Sequence, residues 1–158
     1  KSDFYPTPPE PTIALLEYLK IPKDKIVWEP ACGKGDMSRV IASKGYSVIG
    51  TDIQTGTDFL TCVPFNCDWI ITNPPFSLAE NFIQRAISLK IPFAFLLKSH
   101  YWNAQKRVSL FQEFPPTYIL PCAWRVDFTG EGNPLMDVMW CVWKLNGEKT
   151  IFDVLKKP

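Results

Sequence analysis

The sequence predicts an α/β fold: a doubly wound, mainly parallel sheet in a single domain. Short apolar runs of β-forming residues alternate with segments of helical periodicity, the pattern of βαβ units. The chain has 158 residues, 46% of them hydrophobic, which suits one domain with a substantial core. Two late β-rich runs, at 118–120 and 138–143, are expected to close the sheet.

The composition excludes several classes of protein. The net charge of +1 argues against a large nonspecific phosphate-binding surface and leaves room only for small basic patches. Five cysteines without a C-x-x-C pair and a single histidine make no zinc pattern, so we expect free thiols and no metal. Without a membrane-length apolar stretch or a signal peptide, we expect a cytoplasmic protein with no membrane partner.

The first segment, 1–11, is rich in proline and is predicted to be an extended arm that leads into a helix. The helix is indicated by apolar residues at near-helical spacing, namely Ile13, Leu16 and Leu19. Thr7 can cap the helix or hydrogen-bond a ligand, and Tyr5 can cover one. A stiff linker without function is the alternative interpretation.

The next unit is a strand at 25–30 that breaks into the turn 31–36. Small residues and two glycines in this turn permit a tight bend and close approach of a ligand to backbone N–H groups. Asp36 is predicted to cap the following helix, which ends at Gly45.

A further strand, 47–53, completes a βαβ unit and brings Asp52 about twenty residues after the turn. This spacing is typical of an acid that binds ribose hydroxyls. The dinucleotide fingerprint is nevertheless incomplete, because Ser38 occupies its third glycine position. Glu29 and Asp36 would serve a pyrophosphate poorly, whereas a nucleoside with a cationic tail would be well served.

Asp58 and Phe59 follow in a turn-rich stretch. The carboxylate could accept from an adenine amine, and the neighbouring ring could lie against the base. An ordinary loop acid is the alternative.

The most informative stretch is a buried strand at 69–72 that runs into Asn73, Pro74, Pro75 and Phe76. The two prolines lack N–H donors, so the strand must stop there, at the sheet edge where α/β folds place ligands. The Asn73 side chain and the Pro74 carbonyl offer two acceptors, and Phe76 offers a flat face. Together they would suit a planar group with an exocyclic amine. A plain Pro-Pro turn with a core phenylalanine is the alternative.

After this stretch, Ser77 and Glu80 form a predicted capping box for a helix that runs to Lys90, and a strand follows at 91–97. At the end of that strand lies a polar and aromatic group that should face the same rim as Asn73: Lys98, Ser99, His100, Tyr101 and Trp102. His100 is a candidate general base or, alternatively, a hydrogen-bonding bystander.

A long loop at 124–137 joins the two late strands. Its aromatic residues could stack on a base and Arg125 could bind the phosphate of that base. Alternatively, the loop is an ordinary connection. Residues 150–158 are predicted to form a short helix or a tail.

Taken together, these motifs resemble those of class I S-adenosylmethionine-dependent methyltransferases, whose fold is Rossmann-like. The resemblance rests on E-P-A-C-G-K-G at 29–35, Asp52, Asp58-Phe59 and N-P-P-F at 73–76, in this order. With F-Y-P-T-P at 4–8 in front, the chain looks most like small phage and prophage adenine-N6 DNA methyltransferases. The match is good over residues 3 to about 100 and looser beyond.

The resemblance implies S-adenosylmethionine as cofactor. The glycine turn would hold its methionine part, Asp52 its ribose and Asp58 with Phe59 its adenine, while the arm closes over the amino-acid end. The implied cofactor-binding residues are Tyr5, Pro6, Thr7, Glu29, Pro30, Ala31, Cys32, Gly33, Gly35, Asp36, Asp52, Ile53, Asp58, Phe59 and Asn73.

For the target, the resemblance implies methyl transfer to the amine of adenine in DNA, with Asn73, Pro74, Pro75 and Phe76 as catalytic residues. The substrate-binding candidates are Phe76, Lys98, Tyr101, Trp102, Trp124 and Arg125. Methylation of an rRNA base amine or a protein glutamine amide remains open, as does a nucleotide-binding module without catalysis. The chain has no room for a separate target-recognition domain, so the loop 124–137 is the candidate target surface.

Overall fold

The structure is a computed structural model that describes residues 6–133 and 135–158. The helices are α1 (Pro9–Leu19), α2 (Asp36–Ser43), α3 (Ala79–Leu89) and α4 (Val108–Glu113). The strands are β1 (Ile26–Glu29), β2 (Ser47–Gly50), β3 (Trp69–Thr72), β4 (Phe93–Lys98), β5 (Tyr118–Pro121), β6 (Val138–Trp143) and β7 (Ile151–Phe152). Short 3-10 turns lie at Ile53–Thr55, Phe76–Leu78 and Gln105–Arg107.

The strands form one seven-stranded sheet in the order β2-β1-β3-β4-β6-β5-β7. Strands β1 to β4 are parallel to one another, whereas β6 is antiparallel to both β4 and β5. From β1 the chain winds outward to β2 and then crosses back to β3. The strand order therefore reverses between β1 and β3, where doubly wound folds bind their ligands.

Each face of the sheet carries its own hydrophobic core. Ile71 of β3 packs with Leu15 of α1 on one face, and α2 lies beside α1 there. Ile70 packs with Ile83 of α3 and Leu110 of α4 on the other face. Neighbouring residues of one strand thus serve opposite cores, as strand alternation requires. The predicted doubly wound α/β fold is confirmed.

The start of α1 differs from the prediction. The helix begins at Pro9, so the extended segment ends at Pro8 rather than at residue 11. Prolines are tolerated in a first helical turn because the N–H groups there have no helical partner. The buried indole Nε1 of Trp140 donates a hydrogen bond of 2.8 Å to the Pro11 carbonyl, which fixes this end of α1 to β6.

Two predicted helix caps are also wrong. Gly35 rather than Asp36 is the N-cap of α2, and Asp36 instead pairs with Arg39 at 3.1 Å. Ser77 lies in the 3-10 turn that follows the prolines rather than at the N-cap of α3, which is Leu78. In both places the backbone path out of the preceding turn, with Gly35 at φ 90° in the first, decides where the helix starts.

The C-terminal segment forms a strand rather than a helix or a tail. Residues Ile151 and Phe152 pair in parallel with β5, and Leu155 forms an isolated bridge with Cys122. β-branched and aromatic side chains favour such an edge. All five cysteines are free, as predicted. Within the described ranges, no helix has the length and apolar character needed to cross a membrane.

Candidate functional site

The candidate site lies where β1, β3 and β4 end. β1 ends at Glu29, β3 is followed directly by Asn73, and β4 ends at Lys98. Since these strands are parallel, their carboxyl ends meet at one edge of the sheet, here called the carboxyl edge. The edge includes the position where the strand order reverses, so the fold places the predicted residues where ligands bind.

Glu29 is a buried acid at the centre of this edge, only 2% exposed. Its Oε1 accepts a hydrogen bond of 2.6 Å from Ser38, and its Oε2 accepts one of 3.0 Å from Thr72. Burial raises the pKa of the carboxyl to about 7, against the opposing effect of the two hydroxyl donors. A cation bound beside this carboxyl would stabilise its ionised form, which burial disfavours.

Asp52 joins two loops of the site. One carboxylate oxygen accepts from the Gly33 N–H at 2.9 Å and the other from the Gln54 N–H at 3.0 Å. The side chain is almost fully buried. A carboxylate oxygen can accept more than one hydrogen bond, so Asp52 keeps acceptor capacity for a ligand hydroxyl. Next to it, Ile53 is an apolar side chain with 66% exposure, which core packing does not explain.

Gly35 shows why this turn needs glycine. Its φ is 90°, and a Cβ at this position would lie 3.0 Å from the Arg39 guanidinium. A side chain would be strained there and would crowd the start of α2. The turn that brings Gly33 to Asp52 therefore depends on glycine at position 35.

Asn73 carries the acceptor on which the site depends. Its Nδ2 donates a hydrogen bond of 3.2 Å to Thr7 Oγ1. Its Oδ1 is buried and has no hydrogen-bond partner among the described residues. Leaving a buried acceptor unpaired costs about 1–3 kcal/mol. Such an atom is a natural contact for a ligand that brings a donor.

A narrow cleft connects these residues. It is lined by Pro6, Thr7, Glu29, Ala31, Cys32, Asp36, Met37 and Asn73. Ligand pockets usually measure roughly 300–1,000 Å³, and this cleft is far smaller, so it marks only one part of a ligand site. Pro30, also predicted for this site, is buried beside the cleft residues, and the predicted Tyr5 lies outside the described residues.

Phe76 and Lys98 form the rim of the site beyond Asn73. The Lys98 ammonium lies over the Phe76 ring, 4.5 Å from its centroid. Both side chains are partly exposed, while Pro74 between them and the sheet is buried. A ring and a cation held together at the end of adjacent strands can meet an aromatic group and an adjoining negative charge. The alternative of Phe76 as a core residue is wrong.

Phe59 does not present its ring to the site. It is 2% exposed and packs between Trp28 and Phe82, with centroid distances of 5.2 and 4.8 Å. The prediction that its ring face meets a base is therefore wrong. Asp58 is half-buried, and its Oδ1 caps the following turn by accepting from the Leu60 N–H at 2.9 Å. Its part in ligand binding stays a prediction.

Tyr101 and Trp102 are likewise part of the core under α3 and α4. Tyr101 is 6% exposed and lies under the Arg107 guanidinium, and Trp102 packs against Phe111. Tyr101 is therefore buried rather than part of an open target surface, whereas Trp102 is partly exposed and its role in target binding stays a prediction. His100, by contrast, is exposed at the rim.

The loop 124–137 begins and ends at the carboxyl edge. It is more ordered than an open connection: Val126 and Met136 pair as a β-bridge, and Val126 and Phe128 are buried. Trp124 packs against the core on the α1 side. Arg125 is exposed and pairs with Asp137 at 3.5 Å. A role of this loop in target binding stays a prediction.

Sequence reasoning missed two residues that hold Glu29, namely Ser38 and Thr72. Thr72 is fully buried, the one polar residue at the end of an apolar strand, which was a usable signal. Ser38 stands at the position where a dinucleotide fingerprint has glycine. Its hydroxyl is not a defect of that fingerprint but the donor to the neighbouring acid.

Comparisons with known proteins identify solved structures with a similar fold. No protein-family model matches the sequence, and no curated protein sequence matches it significantly. A protein from Pyrococcus horikoshii assigned as an RNA methyltransferase has a similar structure, with a TM-score of 0.68 and 15% identity, over 87% of this chain and 82% of that one. A modification subunit assigned to a type I restriction enzyme from Vibrio vulnificus gives a TM-score of 0.64 and 13% identity, over 98% of this chain and 48% of that one.

A third similar structure is assigned as a class I S-adenosylmethionine-dependent methyltransferase from Listeria monocytogenes. Its TM-score is 0.59 at 13% identity, over 92% of this chain and 61% of that one. The chain therefore spans less than two thirds of the Listeria and Vibrio proteins. The shared architecture confirms the predicted Rossmann-like fold of class I methyltransferases.

Proposed function

We propose that this protein transfers a methyl group from S-adenosylmethionine to the exocyclic amine of adenine in DNA, and that residues 1–158 act as one methyltransferase domain. The observation that carries the proposal is the buried Oδ1 of Asn73 at the carboxyl edge, which has no hydrogen-bond partner within residues 6–133 and 135–158. It lies beside a ring-and-cation rim on one side and a buried carboxylate cleft on the other. Similar structures assigned as methyltransferases support the same chemistry.

The residues of the cleft suit S-adenosylmethionine, which supplies an electrophilic methyl group on a sulfonium sulfur. Glu29 would meet the positive charge of the methionine part, because its buried carboxyl gains a counter-charge there. Asp52 would accept from the ribose hydroxyls with its remaining lone pairs. The exposed Ile53 would lie against the adenine ring. Asp58 would accept from the amine of that adenine.

At the target, Asn73 Oδ1 and the Pro74 carbonyl would each accept one amine hydrogen. These bonds favour a pyramidal nitrogen, whose lone pair is then available instead of being delocalised into the ring. The nitrogen forms a bond to the methyl carbon as the carbon–sulfur bond breaks, and the electron pair of that bond goes to sulfur. The nitrogen then loses a proton to solvent, so no strong base is required.

The rim is suited to a base that has left its helix. Phe76 would stack on the extruded base, and Lys98, already held against the Phe76 ring, would meet the nearby phosphate. Arg125 in the loop 124–137 is another cation at the carboxyl edge. Trp124 would support this loop from the core rather than stack on the base.

DNA adenine is preferred as the target because the N-P-P-F stretch occurs together with the E-P-A-C-G-K-G turn and the proline-rich arm. Amines of RNA bases and the glutamine amide of a protein are competing substrates with the same donor geometry. A nucleotide-binding module without catalysis is the competing function from another class. The unpaired Asn73 acceptor weighs against such a module, which would have no use for it.

One assay separates these substrates. Purified protein is incubated with methyl-labelled S-adenosylmethionine and, in parallel, with unmethylated DNA, RNA and a protein pool. Nucleosides and amino acids are then analysed. The proposal expects label in N6-methyladenine from DNA. Label in an RNA base or in glutamine would reassign the substrate, and cofactor binding without any transfer would favour the binding module.

A further inference from the structure

We infer that Thr7 is a positioning residue for Asn73. Its hydroxyl joins the segment 6–8, which contributes Pro6 and Thr7 to the cofactor cleft, to the Asn73 acceptor that would meet the target amine. The inference rests on the proposed function and adds to it a residue that acts through another. Thr7 and Asn73 are 66 positions apart in the chain, and their side chains meet at 3.2 Å.

The contact constrains the end of the Asn73 side chain. An asparagine amide turns about a broad two-fold torsion, so packing alone holds it weakly. With Nδ2 donating to Thr7 Oγ1, the amide plane is held and Oδ1 remains buried, without a hydrogen-bond partner in the part of the chain that the structure describes. The bond therefore keeps the acceptor ready for a donor from the target.

The other end of the contact is also held. Thr7 lies between Pro6 and Pro8, whose rings fix their φ angles and reduce the freedom of this segment. Four residues later, the Pro11 carbonyl accepts from the buried Trp140 indole at 2.8 Å. Thr7 is thus carried on a stiff segment that is anchored to the middle of the sheet.

This arrangement couples the two halves of the site. Pro6 and Thr7 form one wall of the cleft, and Asn73 forms another. A cofactor that seats this segment would also set the Asn73 amide, whereas a displaced segment would release it. Chemistry is then favoured only when the segment lies over the cleft.

The test compares Thr7→Val, which keeps the shape of the side chain and removes the hydroxyl, with Thr7→Ser, which keeps the hydroxyl. Thr12→Val is the matched control, because the Thr12 hydroxyl is buried and has no hydrogen-bond partner among the described residues. Two quantities are measured: the NMR signals of the Asn73 side-chain amide, identified by their absence in Asn73→Ala, and kcat at saturating cofactor and DNA.

We expect Thr7→Val to shift the Asn73 amide signals and speed their exchange with water, and to lower kcat about tenfold. Thr7→Ser should restore the amide signals and rescue most of the kcat that Thr7→Val loses, and Thr12→Val should match the wild type in both. Unchanged amide signals in Thr7→Val would overturn the inference, and so would a higher KM for cofactor with kcat unchanged. The NMR measurement needs no turnover, so an inactive wild-type protein would refute the proposed function while the amide signals still decide the role of Thr7.

Discussion

The carboxyl of Glu29 and the hydroxyl of Thr72 are joined by a hydrogen bond of 3.0 Å across the ends of β1 and β3. Both side chains are almost fully buried, and Thr72 directly precedes Asn73. The bond ties the acid that would face the cofactor to the strand end that would face the target. The cofactor side and the target side of the proposed site are thus joined by a buried hydrogen bond.

The burial of Glu29 predicts a pH dependence of stability. The pKa of Glu29 is raised from 4.5 to about 7 on folding, so the folded chain holds a proton that the unfolded chain releases. The resulting stability is present below about pH 4.5 and is lost as pH rises to about 7. Glu29→Gln should remove this part of the pH dependence.

Urea unfolding of the wild type and Glu29→Gln between pH 4 and 8 measures the effect. The difference between the two free energies of unfolding should shift in favour of the variant as pH rises through the window. Glu17→Gln, at an exposed position of α1, serves as the control. Parallel curves for wild type and Glu29→Gln would show that Glu29 titrates at its ordinary pKa.

Asp52→Ala should weaken S-adenosylmethionine binding, because the ribose hydroxyls lose a charged acceptor worth roughly 1.5–3 kcal/mol. Part of the loss would come from the Gly33 and Gln54 N–H groups that Asp52 holds. Calorimetry measures the affinity, with the exposed Asp24→Ala as control. Equal affinities for wild type and Asp52→Ala would exclude Asp52 from the cofactor site.

Arg125→Ala should weaken DNA binding and reduce its salt dependence by about one phosphate contact. Its partner provides a matched variant: Asp137→Ala frees the Arg125 side chain and should strengthen binding. Cofactor affinity should change in neither. If Arg125→Ala binds DNA normally at every salt concentration, the loop 124–137 has a structural role only.

Phe76→Ala should act on capture of the target base, with a loss of about 1–3 kcal/mol of stacking. The effect should appear as a higher KM for DNA, while cofactor affinity stays constant. Phe152→Ala removes an equally large ring at the exposed edge strand β7 and should change neither value. A Phe76→Ala enzyme with the KM of the wild type would mean that the base is held elsewhere.

The sequence predicted the features that depend on residues close together in the chain. Apolar runs gave β1, β3, β4 and β6 to within two residues, and the order of motifs brought Glu29, Asp52 and Asn73 to one edge. It could not give the burial of Phe59 or Tyr101, because an aromatic beside a polar motif looks the same in a core as in a site.

The bond between Thr7 and Asn73 was out of reach for a different reason. It joins residues 66 positions apart and depends on where Trp140, far along the chain, anchors α1. Strand β7 was missed because its edge position is created by β5, and no pattern within 150–158 specifies a partner.

If Asn73 supplies the acceptor for methyl transfer to adenine, the kcat for labelled methyl transfer to unmethylated DNA must differ between wild type and Asn73→Ala. Asn81→Ala, at an exposed position of α3, is the control. We predict that Asn73→Ala keeps its fold and cofactor affinity and loses on the order of a hundredfold or more in kcat, the scale for one lost transition-state partner. Equally fast transfer by Asn73→Ala and the wild type would contradict the account.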